Sequence, residues 1–176
     1  MSLGGQEMDS EGCRYRSNME DIVMHPMGTV RNEVVHGGGQ VWAEVVSEIH
    51  LNQGLDEALE GLEGFSHIVV LCYMHHMTPG QFPLKVHPRG RLDLPLVGLF
   101  ATRHYSRPNS IGMTTVGLLG REGLVLRVQG LDAFDGTPVL DIKPFFSSRD
   151  YPTDTRVPDW VKTVQAMPHR AHDVRS

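Results

Sequence analysis

Residues 113–129, MTTVGLLGREGLVLRVQ, contain two apolar runs joined by a short connection with a glycine at each end. In the second run, the apolar side chains Leu124, Leu126 and Val128 alternate with other residues. That period of two is typical of a β-strand with one buried face. The connection Gly120–Gly123 supplies the backbone freedom that a tight reversal requires. We therefore predict an antiparallel hairpin, and this hairpin sets the expectation for the rest of the chain.

Other short runs of β-branched and aliphatic residues lie on both sides of the hairpin, and turn residues separate them. Asp135-Gly136 is one such turn signal. The predicted strands are Ile22–Val30, Val41–Ile49, His67–Met74, Leu96–Thr102, Met113–Leu119, Leu124–Gln129 and Val139–Lys143. Short helices are expected at 55–62 and 158–164. Many short strands without long alternating helices predict a mainly β, single-domain antiparallel barrel or sandwich.

Composition and length place the chain among ordinary globular proteins. It has 176 residues, 40% of them hydrophobic and 21% charged, which favours one domain. No apolar run approaches the roughly 20 residues of a membrane-spanning helix, and Met1–Arg16 has no apolar core of a signal peptide. Two cysteines, Cys13 and Cys72, make no disulfide framework, and the apolar run around Cys72 predicts a buried thiol. We expect no membrane partner and a cytoplasmic location.

The predicted organisation is a flexible arm at 1–21, one β domain at 22–165 and a tail at 166–176. The strand His67–Met74 is continuously apolar, so it is expected to be buried on both faces.

Charge is unevenly distributed along the chain, although the net charge is -5. Residues 1–63 hold twelve acidic side chains and three arginines. Residues 85–107 have the opposite bias, with Asp93 as the sole acid against several cations. These cations are Lys85, Arg89, Arg91, Arg103 and Arg107. Such a cluster can attract a polyanion, but solvated surface charges are the commoner explanation on charge alone.

Several common site motifs are absent from the sequence. There is no G-x-G-x-x-G, no G-x-x-x-x-G-K-[ST], no G-x-S-x-G and no C-x-x-C. The ten histidines do not follow a zinc-ligand spacing, so no metal site is predicted. His75 and His76 are adjacent in a predicted strand, so we expect them to point to opposite faces.

Two segments have the composition of a ligand pocket. In 98–112, Pro108 fixes its own φ and biases Arg107 toward an extended conformation, which can present a guanidinium to a carboxylate or phosphate. An ordinary Pro-Asn turn is the alternative. The segment 130–144 has three aspartates and Lys143 around a turn. Its alternative is a plain hairpin with a surface ion pair between Asp141 and Lys143. The residues themselves indicate charge recognition and do not name a reaction.

These two segments resemble the TsaA-like, or TrmO-type, S-adenosylmethionine-dependent tRNA methyltransferases. The family pattern is matched by Phe100–Arg103, by Arg107–Gly112 and by Leu131–Phe145. Further matches are Pro26–Arg31 and the stretch Gly61–His67. Together the matches extend over about residues 22–151. The chain departs from the family pattern at 36–40, where HGGGQ replaces a P-R-Q-P-G stretch, and at His76, where the family usually has glutamine.

The resemblance implies a β-barrel, a homodimer and S-adenosylmethionine bound near the dimer interface. It also implies N6-methylation of a threonylcarbamoyl-adenosine beside the anticodon of tRNA. The implied cofactor-binding residues are His75, His76, Arg107, Gly117, Ala133, Phe134, Asp135 and Gly136.

The expected chemistry supplies roles for a further set of residues. Asn109 is a candidate hydrogen-bond acceptor for the adenine amino group, and Asp135 or Asp141 is a candidate proton acceptor. Capping of turns and strand ends is an equally ordinary use of these three side chains. The residues expected to hold the RNA backbone are Lys85, Arg89, Arg91 and Arg103. Two other functions stay open: a cofactor-binding regulatory module, and a methyltransferase for another nucleoside or small molecule.

Overall fold

The chain forms eight β-strands in the computed structural model, which describes residues 21–35, 39–77 and 82–167. The strands are β1 (Gly28–Arg31), β2 (Val46–Leu51), β3 (His67–Tyr73), β4 (Lys85–Val86), β5 (Val97–Gly98), β6 (Ile111–Glu122), β7 (Val125–Gln129) and β8 (Pro138–Pro144). Two short helices follow, α1 (Ser147–Asp150) and α2 (Asp159–Gln165). Single 3₁₀ turns occur at Trp42–Glu44, Glu57–Leu59, Leu62–Gly64, Pro88–Gly90 and Leu99–Ala101.

Six of these strands close into a barrel in the order β1-β2-β7-β6-β3-β8, and all neighbours are antiparallel. β4 and β5 form a separate two-stranded ribbon. Closure removes the free strand edges that an open sheet would expose. The prediction of a mainly β, antiparallel barrel with short helices is confirmed.

The barrel interior is filled by alternate residues from each strand. Val30, Ile49, Ile68, Leu126 and Val128 have no measurable exposure, and they form one continuous core. The same alternation sends Glu48 and Arg127 to the outer surface, where the β2–β7 register pairs them. Burial of this apolar set is the main stabilising term of the barrel.

The central hairpin forms as the alternation predicts. β6 and β7 pair from Gly117↔Gln129 to Glu122↔Val125, and Gly123 takes a positive φ of 58° in the connection. β6 is longer than expected at both ends. Its first half pairs with β3, and Gly120 to Glu122, which were expected in the connection, pair with β7 instead. The turn at Asp135-Gly136 is confirmed too, with Gly136 at φ 79°.

Local differences from the predicted elements have physical reasons. β3 is not buried on both faces: Ile68, Val70 and Cys72 point into the barrel, whereas His67 and Tyr73 face outward. A closed barrel has one interior, so one face of β3 meets solvent. The predicted helix at 55–62 is replaced by two 3₁₀ turns, because Gly61 takes the left-handed conformation between them.

Three predicted strands are shorter or displaced. Trp42–Glu44 is a 3₁₀ turn, and β2 begins only at Val46. In the run 96–102 only Val97–Gly98 is a strand, and a 3₁₀ turn follows it. Within Ile22–Val30 the strand starts at Gly28, beyond Pro26, which cannot donate to a ladder.

The Cys72 thiol is buried in the barrel core, as predicted. Burial, with a smaller contribution from the charge of Asp132, raises its pKa to about 12. The thiolate needed for disulfide exchange is therefore suppressed.

Among the described residues, no helix combines the length and apolar character needed to cross a bilayer. The described part of the chain also contains no group of three residues able to hold a metal ion. Several predicted features lie outside the described residues. They are most of the arm (1–20), Cys13, part of the departure from the family pattern (36–38) and most of the tail (168–176).

Candidate functional site

A cleft lies at the end of the barrel where β3 leaves the sheet. Past Tyr73 the chain turns, and the Met74 amide donates to the Ser110 carbonyl at 2.7 Å. The cleft contains about 340 Å³ of space that no atom fills, and part of that space is open to solvent. Its lining combines this turn with the segment between β7 and β8, and the residues are Trp42, Met74, His75, His76, Met77, Tyr105, Asp132, Ala133, Phe134 and Thr137.

Aromatic rings form a continuous wall of the cleft. The Phe134 ring lies 5.7 Å from the Trp42 ring and 5.8 Å from the His76 ring, centroid to centroid. The rings of His75 and His76 are only 3.9 Å apart. The expectation that these two histidines point to opposite faces is therefore wrong. β3 ends at Tyr73, and in the turn that follows, neighbouring side chains no longer alternate.

His75 carries a buried polar atom without a hydrogen-bond partner, its Nδ1. Buried polar atoms in proteins are nearly always paired, so this nitrogen calls for a functional or structural reason. Burial, followed by the neighbouring His76 charge, lowers the pKa of His75 below its ordinary value. The ring is therefore neutral at pH 7, which suits a wall that receives an uncharged or cationic ligand.

The lowered pKa of His75 predicts a pH effect on stability. The unfolded chain binds a proton at His75 near pH 6.5, whereas the folded chain resists it. The folded state consequently loses stability as pH falls below about 6.5. We expect the loss in the free energy of unfolding between pH 7.5 and 5.5, measured with urea, to be smaller in His75→Gln than in the wild type. The same loss in both proteins would show that His75 does not titrate in this way.

The segment between β7 and β8 is tied to the end of β1 by Asn32. The Asn32 side-chain amide donates to the Ala133 carbonyl at 3.0 Å and to the hydroxyl of buried Ser47 at 2.9 Å. Its backbone amide donates to the Asp135 carboxylate at 3.1 Å, and its side-chain oxygen Oδ1 accepts from the Val34 amide at 2.9 Å. Asn32 thus joins three parts of the chain with one side chain.

The backbone N–H groups of this segment are engaged within the protein. The Ala133 amide donates to the Leu131 carbonyl, the Asp135 amide to the Val34 carbonyl and the Gly136 amide to the Val30 carbonyl. The Asp135 carboxylate also lies 3.7 Å from the Arg31 guanidinium. These three amides are therefore not available to donate to a ligand in this arrangement. Of the predicted contacts at 133–136, Ala133 and Phe134 line the cleft, whereas Asp135 and Gly136 are not among its lining residues.

Sequence reasoning gave no role to Asp132, which lines the cleft, or to Tyr105 and Trp42. Asp132 stands between Leu131 and Ala133, both buried, in the segment already singled out for its aspartates. The three aspartates of segment 130–144 indicated a charged site, but nothing in the sequence showed which of them faces a pocket.

Other predicted site residues lie outside the cleft lining. Asp141 forms an ion pair with Lys143 at 2.6 Å, which is the surface pair given as the alternative. Gly117 pairs with His67, at the opposite end of β3 from the turn that carries His75. Within one chain, Gly117 thus lies about 20 Å along the strand from Tyr73, where that turn begins, at 3.3 Å per residue.

Arg107 and Asn109 lie on the loop beside the cleft. Arg107 donates to the Thr102 carbonyl at 2.9 Å, and its guanidinium carbon lies 5.4 Å from the Phe100 ring centroid. Asn109 is exposed and precedes Ser110, the residue that anchors the Met74 turn. Tyr105, on the same loop, stacks on His104 at 4.3 Å and reaches the cleft.

The predicted RNA-binding cations have different surroundings. Lys85, Arg89 and Arg103 are exposed on β4, on the turn after it and on the loop after β5. Arg91 is engaged in an ion pair with Asp93 and donates to it through Nε at 2.9 Å. Its charge is therefore largely compensated.

The cleft is chemically suited to S-adenosylmethionine. Aromatic faces attract a sulfonium cation, and rings such as Trp42 and Phe134 stack on adenine. Asp132 adds a carboxylate for a cation or a ribose hydroxyl, and the unpaired His75 Nδ1 adds a polar group. The described residues thus fit the cofactor that the sequence motifs imply.

Comparison with known proteins gives independent information on this arrangement. Residues 32–151 match the family model described as the tRNA-methyltransferase O N-terminal domain. The chain is 42% identical over 139 residues to a Methanothermobacter thermautotrophicus protein named "Probable S-adenosyl-L-methionine-binding protein", covering 76% of this chain and 96% of the relative. It is 36% identical over 139 residues to the mouse tRNA (adenine(37)-N6)-methyltransferase, covering 79% of this chain but 32% of the mouse protein.

Solved structures show the same fold. A crystal structure of TrmO superposes with a TM-score of 0.63 at 33% identity, covering 80% of this chain and 62% of that one. A crystal structure of TrmO from Pseudomonas aeruginosa gives 0.63 and 33%, covering 78% of this chain and 61% of that one. The chain thus spans nearly all of the archaeal relative, about a third of the mouse protein and under two thirds of these structures.

Proposed function

Because the chain belongs to the family of the tRNA-methyltransferase O N-terminal domain, we propose that it binds S-adenosylmethionine and methylates N6 of an adenosine in tRNA. The cleft supports this proposal most directly, since aromatic rings, Asp132 and an unpaired His75 nitrogen converge on it. The specific acceptor that we propose is threonylcarbamoyl-adenosine beside the anticodon. We also propose a cytoplasmic location, which a tRNA substrate supports.

Methyl transfer to such a nitrogen depends on positioning and on removal of a proton. The lone pair of an adenine exocyclic nitrogen is delocalised into the ring, which makes it a weak nucleophile. When bound, S-adenosylmethionine supplies an electrophilic methyl group on its sulfonium. The chain must orient the acceptor in line with that methyl group, exclude water and accept the proton, and orientation alone can lower much of the barrier.

Among the predicted catalytic residues, Asn109 has the most suitable surroundings. It is exposed on the loop whose Ser110 anchors the cleft turn and whose Tyr105 lines the cleft. We assign it the hydrogen bond that orients the amino group. Asp135 and Asp141 stay as proton-acceptor proposals, and each would first have to release its present cationic neighbour, Arg31 or Lys143. In both cases that neighbour is exposed enough to move.

The ribbon and the loop after it carry the proposed RNA contacts. Lys85, Arg89 and Arg103 supply charge on this side, while Arg91 contributes after exchanging Asp93 for a phosphate. Binding through phosphates makes RNA affinity strongly dependent on salt.

Incubation of the protein with methyl-labelled S-adenosylmethionine and tRNA bearing threonylcarbamoyl-adenosine tests the proposal. We expect label in that nucleoside. In Asn109→Ala, loss of one orienting hydrogen bond should lower kcat by about tenfold or more. Asn52→Ala is the control, because Asn52 is an exposed asparagine away from the cleft. Its side chain donates to the Pro26 carbonyl at 2.9 Å, so this variant likewise removes one asparagine amide, and its kcat should not change.

A cofactor-binding module without transferase activity is the second candidate. It is favoured by the name of the archaeal relative, which mentions binding of S-adenosyl-L-methionine and which this chain spans almost completely. Cofactor binding by calorimetry with no label in any tRNA would support the module and reject the transferase.

We also propose that the chain works as a homodimer. The outer face of β3 and β6 carries a half-exposed apolar strip, in which Tyr73 is paired with Ile111 and Leu71 with Met113. A second copy would cover such a strip. Pairing two chains would also allow the Gly117 region of one copy to approach the cleft of the other.

A further inference from the structure

The most exposed aromatic side chain near the cleft is Phe100, and the proposed cofactor site does not use it. Phe100 is 73% exposed, although its neighbour Leu99 is buried. A phenyl ring that is held in solvent loses the stabilisation of burial, so its position needs a reason.

The loop around Phe100 is held rigid by a set of local hydrogen bonds. The Thr102 backbone amide and hydroxyl both donate to the Leu99 carbonyl, at 3.0 and 2.8 Å. The Leu99 amide donates to the Leu84 carbonyl at 2.9 Å, which fixes the turn to the β4–β5 ribbon. The His104 amide approaches the Thr102 hydroxyl at 3.3 Å. Phe100 is therefore presented from an ordered turn.

Arg107 braces the ring and links it to the cleft. Its guanidinium donates to the Thr102 carbonyl and lies over the Phe100 ring, 5.4 Å from the centroid. Two residues earlier in the chain, Tyr105 lines the cleft. One short loop thus carries an exposed ring, a cation packed on that ring and a wall of the proposed cofactor site.

We propose that Phe100 is a stacking platform for an unpaired base of the RNA strand that carries the target nucleoside, an inference that rests on the proposed function. Aromatic side chains flanked by cations bind single-stranded nucleic acid in this way, because every base offers a π-face while the cations meet the phosphates. Arg103 and Lys85 are exposed on the same loop and ribbon. The surrounding charge suits a polyanion. It suits a second copy of this chain less well, because the same segment 85–107 of that copy is also cationic, although the net charge of the chain is -5.

Phe100→Ala is expected to raise the KM for tRNA by about tenfold, the loss of one base–aromatic stack. The kcat at saturating tRNA and the Kd for S-adenosylmethionine should stay at wild-type values. Phe100→Tyr, which keeps the ring, should behave as the wild type, and Phe100→Leu, which keeps only apolar volume, should behave as Phe100→Ala. Leu92→Ala is the matched control, because Leu92 is an apolar residue of the same region that is 83% exposed; it should have no effect.

Binding measured without catalysis separates this inference from the proposed function. Fluorescence anisotropy with a labelled anticodon stem-loop RNA should show the same tenfold loss in Phe100→Ala, with the salt dependence of binding unchanged. Arg103→Ala should instead reduce the slope of the logarithm of affinity against the logarithm of salt by about one.

Three results would overturn the stacking role. They are wild-type RNA affinity in Phe100→Ala, full function in Phe100→Leu, and a change from dimer to monomer in sedimentation of Phe100→Ala, which would make Phe100 a protein contact. If the wild type binds the RNA through Phe100 but transfers no methyl group, the proposed function fails while the stacking role stands.

Discussion

Replacing Asp132 by asparagine is expected to weaken the binding of S-adenosylmethionine by about 30-fold, as for a hydrogen bond to a charged group in a desolvated site. Asp132 lines the cleft beside the aromatic wall, and its charge reaches far enough into the barrel to raise the pKa of Cys72. Asparagine keeps the shape of the side chain but removes the charge that balances a cationic ligand. Titration calorimetry measures the loss directly.

Asp159→Asn is the matched control for this substitution. Asp159 lies at the start of α2, is exposed, and pairs with Lys162 at 2.9 Å. Surface pairs of this kind contribute little to stability, so the Kd for the cofactor should not change. Equal affinities in Asp132→Asn and the wild type would remove Asp132 from the ligand site. A Kd change in the control would point to a general loss of folding instead.

The predictability of this protein from its sequence depends on how local each feature is. The β6–β7 hairpin is correctly predicted, since its alternation and its glycine connection are all contained in residues 113–129. The buried position of Cys72 follows for the same reason, because apolar residues surround it in the chain.

The cleft is harder to predict because it joins distant segments. His75 and Phe134 are nearly sixty positions apart in the chain, and only closure of the barrel between β3 and β8 brings them to the same end. The sequence predicts the end of this strand at Met74, one residue beyond the observed end at Tyr73. It does not show how the turn that follows orients its side chains, so the shared wall of His75 and His76 was missed. The sequence identified the segment that contains Asp132 as a motif. It did not show which side chain of the segment faces the cleft, because that depends on which of its N–H groups bond to β1.

Asn32→Ala is expected to lower the free energy of unfolding by about 2 kcal/mol and to weaken cofactor binding by about tenfold. The substitution leaves the Ala133 carbonyl, the Ser47 hydroxyl and the Val34 amide without the partner that each now has. Ser47 is fully buried, so water cannot replace that bond without opening the barrel end. Because Ala133 is in the cleft wall, its release should disorder the wall as well as destabilise the fold. Urea denaturation and calorimetry measure the two effects separately.

Asn32→Asp distinguishes the role of the amide from that of side-chain volume. The aspartate retains the oxygen that accepts from Val34 but loses both donated bonds, and it places a second carboxylate beside Asp135. It should therefore bind S-adenosylmethionine no better than Asn32→Ala, although its shape is that of the wild type. Ser47→Ala removes only one of the donated bonds and keeps the bond to Ala133, so it should lose stability while retaining cofactor affinity. If Ser47→Ala and Asn32→Asp weaken the cofactor equally, Asn32 acts on the fold as a whole and not on the cleft wall.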